Sequence, residues 1–157
     1  MAVNALQILG LGASTPIGRN VWASAAAARA GVCGFSEHPY MVDTAGEAMR
    51  IARAPWLDVG LGGAARLGAL LLPAIEEALA PLTDLGGNLS PRIGLALALP
   101  PPRPGQPDGL ADDVLQAIRE RMGDRFARIA RFEVGHAAGH MACLLYTSDA
   151  ADDTPCV

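Results

Sequence analysis

The sequence predicts an α/β fold with a largely parallel sheet, and three observations predict it. Strand-like and helix-like stretches alternate along the chain, the pattern of sheets built by crossover connections. The run Arg92 to Leu99 is continuously apolar after its first residue, which suits a parallel strand covered on both faces. A glycine-rich turn, Gly10 to Gly18, joins the first apolar run to the first helical one. Glycines there allow a sharp passage from strand to helix. At 157 residues the chain holds at most one domain, and 51% hydrophobic against 18% charged residues describes a globular chain rather than a disordered one.

Charge and composition exclude several function classes. All 12 basic residues are arginines, and the net charge is −4, so no electrostatic footprint for nucleic acid exists. Aromatic residues are only 4%, which leaves Ala, Leu, Ile and Val to build the core. The longest apolar candidate for a membrane span, Leu67 to Ile75, is too short and contains Pro73. The N-terminus lacks the basic region of a signal peptide. The expected location is cytoplasmic, with no nucleic acid and no membrane as partner.

Taken in order, Gln7 to Leu11 reads as a short buried strand. Asn20 is a suitable N-cap for a helix from Val21 to Ala30, closed by Gly31. Cys33 to Trp56 reads as irregular, punctuated by Pro39, Gly46 and Pro55. Arg66 to Leu82 is the clearest helix: Leu67, Leu70, Leu71, Ile75 and Leu79 recur at three and four, with Glu76 and Glu77 off that face. Pro73 inside it removes one hydrogen bond. Asp84 to Pro91 is a turn-rich connection to the apolar strand. After the proline-rich loop Pro100 to Gly109, Asp108 is placed to cap a helix running to Met122, ended by Gly123. Ile129 to Val134 reads as a further strand, and Gly135 to Ala142 opens a helix.

From Cys143 the composition breaks. The stretch Cys143-Leu144-Leu145-Tyr146-Thr147-Ser148-Asp149-Ala150-Ala151-Asp152-Asp153 has no Arg and no Gly, and it resembles the translation of a transposase-end sequencing adapter. Residues 143–157 are therefore expected to be a non-native tail, with the authentic text ending near Ala142. Without Asp149, Asp152 and Asp153 the net charge moves from −4 to −1, and Cys33 is left as the one cysteine. A single cysteine makes neither an intrachain disulfide nor a metal site.

The opening admits two readings. A dinucleotide cradle needs Gly-x-Gly-x-x-Gly and an acidic residue about 20 positions further on. Gly10 and Gly12 fit, but Thr15 holds the third position and Gly18 lies too far along. Glu37 and Asp43 fall in a segment broken by Pro39. An NAD(P)-binding Rossmann reductase stays as an alternative. The other reading has more to match. Gly10-Leu11-Gly12-Ala13-Ser14-Thr15-Pro16-Ile17-Gly18, then Trp22, then Arg29-Ala30-Gly31-Val32, resembles the start of the β-ketoacyl carrier-protein synthases of the thiolase-fold superfamily. Arg66 to Leu82 is similar to that family's second N-terminal helix, and Pro91-Arg92-Ile93-Gly94 to its Arg-Ile-Gly strand. The family continues there with a glycine-rich loop, whereas this chain has Pro100 to Gly105. The resemblance runs over most of residues 6–142. It implies a partial thiolase-like fold over residues 1–142: the first half of an αβαβα sandwich, a mostly parallel mixed sheet with helices on both faces.

The resemblance also implies a site. In the family a strand ends in Ala-Cys-Ala-Ser-Gly and a helix begins there; the cysteine attacks an acyl thioester. The matching stretch is Gly135-His136-Ala137-Ala138-Gly139-His140-Met141-Ala142. Aligning Gly139 with the family's glycine puts His136 in the cysteine's place. His140 follows one helical turn later on the same face. With no third ligand in view the pair does not define a metal site, and neither metal nor cofactor is expected. Cys33 lies outside the motif and is expected as a small buried residue. The family's later catalytic residues, two histidines in many members, belong to a C-terminal half beyond these motifs, so condensation by this piece alone is not expected. What the resemblance implies is a 3-oxoacyl-carrier-protein synthase-like acyltransferase. Its substrate is an acyl-phosphopantetheine thioester, on acyl carrier protein or as acyl-coenzyme A, and its usual state a homodimer or a ketosynthase heterodimer. A non-catalytic partner of the chain-length-factor type, which lacks the cysteine, is the alternative within the family.

Overall fold

The computed structural model describes residues 8–84 and 93–149. They belong to two compact units, one within residues 9–84 and one that holds Ile8 and residues 93–149. The chain is mixed α/β, with one antiparallel and one parallel two-stranded sheet among the described residues. The expected turn-rich connection after Asp84 falls on residues 85–91, outside the described residues.

In the first unit, residues 9–14 form no strand, contrary to the sequence expectation. Strand structure needs a neighbouring backbone, and this segment pairs with none among the described residues. It lies instead along helix α2 (Gly63–Asp84). A Cβ on Gly10 would strike the Ala78 carbonyl oxygen, and one on Gly12 the Ala74 carbonyl oxygen. Leu9 and Leu11, which alternate with the glycines, are 58% and 59% exposed rather than buried. The chain then closes a tight turn: the Thr15 amide donates to the Gly18 carbonyl at 2.8 Å and the Gly18 amide to the Thr15 carbonyl at 3.2 Å.

Helix α1 (Val21–Arg29) matches its sequence signals. Asn20 Oδ1 accepts from the Ala23 amide at 2.8 Å. At the other end Gly31 is left-handed (φ 69°). The Gly31 amide donates to the Ala28 carbonyl and the Val32 amide to the Ala27 carbonyl, a Schellman closure. The next stretch is not irregular: β1 (Phe35–Val42) and β2 (Ala48–Ala52) form an antiparallel hairpin. Pro39 is accommodated because the register shifts between Glu37 and Val42, as prolines in strands require. His38 Nδ1 accepts from the amides of Tyr40 (3.1 Å) and Met41 (2.9 Å), which the distorted strand would otherwise leave unpaired. Asp43 Oδ1 accepts from the Ala45 and Glu47 amides and folds the connecting turn, which Gly46 completes at φ 83°. Helix α2 runs from Gly63 to Asp84 straight through Pro73 and Pro81, longer at both ends than its periodicity suggests.

The second unit is a β-α-β-α succession. Strand β3 (Ile93–Ala98) pairs in parallel with β4 (Phe126–Phe132), in register from Gly94↔Arg128 to Ala98↔Phe132. Ile93–Ala98 of the apolar run thus forms the expected parallel strand, but it is not covered on both faces: Leu97 and Leu99 are buried, while Gly94 and Ala98 on the opposite face are exposed. Strand β4 begins and ends earlier than the expected Ile129–Val134. Helix α3 (Leu110–Met122) connects the two strands and buries Leu110, Val114, Ile118 and Met122. Val114 and Ile118 are 0% and 1% exposed, and burying two such side chains stabilises by about 1.5–3 kcal/mol each. Asp108 does not cap this helix. Gly109, left-handed at φ 76°, occupies the N-cap with no side-chain cap bond. Asp112 and Asp113 instead supply negative charge to the first turn, and Arg119 and Arg121 positive charge to the last. Helix α4 (Ala138–Asp149) packs against β3 and β4 and continues past Cys143.

Candidate functional site

The stretch singled out by the motif resemblance, Gly135 to Ala142, follows β4, and a sharp turn forms there. After Phe132 the chain passes through Glu133 and Val134 into a single 3-10 turn, Gly135–Ala137, and enters α4 at Ala138. Gly135 adopts φ 61°, a conformation that L side chains rarely take, and a Cβ there would lie 3.1 Å from Pro101 Cδ. The backbone angle favours glycine here, and the close approach of the proline loop that leaves β3 adds to that preference. The Ala138 amide donates back to the Gly135 carbonyl, and Ala138 is 1% exposed, which anchors the turn.

His136 sits at the tip of this turn, exposed, where a strand of the parallel pair gives way to a helix N-terminus. Unpaired backbone N–H groups at such an end carry partial positive charge. His140 lies in the first turn of α4 and is also exposed. Among the described residues no group of three or more His, Cys, Asp or Glu side chains stands together. Arg131 on β4 pairs with an acid on α3 and with one just after the strand. The Arg131 guanidinium meets Asp112 through Nη1, and Nε lies 3.3 Å from Glu133 Oε1. Both pairs are substantially exposed, so they add little stability. Their role is to tie the ends of β4 and α3 beside the turn.

Among the described residues of this unit, two clefts lie beside α3. One of about 230 Å³ is lined by the proline loop, the start of α3, Arg131 and Glu133. The other, about 600 Å³, is lined by Asp112, Leu115, Gln116, Arg119, Ile129 and Arg131. His136 lines neither. In the first unit a shallow, mainly apolar cleft of about 450 Å³ runs between the Thr15–Gly18 turn, α1 and the start of the hairpin.

Cys33 is exposed, not buried as its sequence context predicts. The left-handed Gly31 turns the chain out of α1, and Cys33 falls on the open linker to β1. Glu77 is the residue that periodicity misassigns. It stands off the leucine stripe, yet its carboxylate turns inward and accepts from the Ala13 amide at 3.0 Å and the Val21 amide at 3.1 Å. It therefore caps α1 and fixes the glycine-rich opening with charge-assisted hydrogen bonds. The signal available in the sequence is its position between Ala74 and Ala78, small residues that let the opening approach α2.

No protein-family model, no curated protein and no solved structure matches this chain.

Proposed function

We propose that the chain is the N-terminal part of a 3-oxoacyl-carrier-protein synthase-like acyltransferase with a partial thiolase-like fold. The ligand is an acyl group in thioester linkage to a phosphopantetheine arm, carried on acyl carrier protein or coenzyme A. The observation that carries this reading is the β4–Gly135–His136–α4 turn. A nucleophile held at a strand-to-helix turn can be approached by a carbonyl whose developing negative charge is stabilised by helix N-terminal N–H groups. The motif resemblance puts the reacting residue at His136, which is exposed and follows the left-handed Gly135.

The geometry of the opening supports this reading over the dinucleotide one. A pyrophosphate would need the N-terminus of α1 and free approach to Gly10 and Gly12. The Glu77 carboxylate already bonds the Val21 amide, and the two glycines face the backbone of α2. A fixed negative charge at that helix end repels a phosphate.

A second reading within the family, a non-catalytic partner of the chain-length-factor type, is favoured by one feature. An activated nucleophile is oriented by a hydrogen-bonded base, and the His136 imidazole has no such partner among the described residues. Incubating the chain with hexanoyl-coenzyme A and following free coenzyme A thiol with time separates the two. Acyl transfer to the imidazole expels coenzyme A thiol, and water then hydrolyses the acyl-imidazole, a release that His136→Ala abolishes. Saturable binding without thiol release marks the non-catalytic partner. Absence of both, with saturable binding of NAD(P)H, overturns the proposal.

A further inference from the structure

We draw no further inference here: the strongest candidate, the exposed apolar surface of the β1–β2 hairpin around Phe35, Tyr40, Met41 and Val42, carries nothing because no feature of the structure shows what covers it.

Discussion

Single residues hold the opening of the chain in place, and Glu77 does most. Its carboxylate joins two backbone amides, Ala13 and Val21, that are distant in sequence from α2. A hydrogen bond to a charged group contributes about 1.5–3 kcal/mol. Glu77→Ala is expected to raise amide exchange at Ala13 and Val21 by roughly tenfold or more, while Glu77→Gln, which keeps one acceptor, raises it less; equal exchange in all three chains would refute the capping role. Gly12 makes a complementary demand. Gly12→Ala forces a Cβ onto the Ala74 carbonyl and is expected to cost roughly 1–3 kcal/mol, as overpacking does. In Gly68→Ala the new Cβ meets no atom within 4 Å. That change is expected to stabilise α2 by roughly 0.5–1 kcal/mol, the usual advantage of Ala over Gly in a helix. Exchange protection along α2 in the two variants checks both signs. Residue-scale signals such as Asn20 and Gly31 were legible in the sequence because caps are local. Glu77 was not, because its partners come from a different segment.

Elements show where local signals lose to context. The hairpin β1–β2 was hidden by Pro39, which argues against a strand. A register shift and the His38 acceptor make the proline tolerable. His38→Ala is expected to leave the Tyr40 and Met41 amides unpaired and to speed their exchange, with Ala48 to Ala52 following; unchanged exchange would show that the hairpin does not need the imidazole. Helix α2 gives the opposite lesson, since its apolar repeat carried it through two prolines. Pro73 is exposed, so Pro73→Ala restores a backbone donor without disturbing a packed surface. An interior proline costs a helix about 3 kcal/mol, and the variant is expected to show stronger helical circular dichroism and a higher unfolding midpoint. A lower midpoint would mean that the proline shapes the helix for its contacts. The parallel strand and α3 were legible because both are dominated by apolar periodicity, while Asp108 was misplaced as a cap because Gly109 can take the N-cap with no side chain at all.

At the scale of the whole molecule, the two units are unequally packed. Leu97, Leu99, Leu110, Val114, Ile118, Met122 and Ala138 are buried in the second unit, against Ala54 and Ile75 in the first. The first unit meanwhile exposes Trp22 at 78% and Tyr40 at 80%, with Leu9 and Leu11 beside the glycines. Slow amide exchange is therefore expected to concentrate in β3, α3 and β4, and fast exchange in the first unit; the reverse order would contradict this distribution of the core. Strand and helix alternation pointed to a mixture of α and β, but not to its arrangement: in place of one largely parallel sheet the described residues form two two-stranded sheets, one of them antiparallel. The lone segment 9–14 forms no strand, because a strand exists only with a neighbour. The candidate site was proposed only from a motif position, His136, and the exposed turn with left-handed Gly135 is what the fold added. The most direct measurement places a thiol at that turn. In a chain with Cys33, Cys143 and Cys156 replaced by serine, His136→Cys is treated with hexanoyl-coenzyme A and the acylated mass is followed with time. The reference is a chain in which Cys33 is the one remaining cysteine and His136 is kept. A helix N-terminus lowers a thiol's pKa and raises its thiolate fraction, so the thiol introduced by His136→Cys is expected to be acylated roughly tenfold faster than Cys33, or more. Equal rates would mean that the β4–α4 turn confers no acyl-transfer reactivity and would contradict the proposed function.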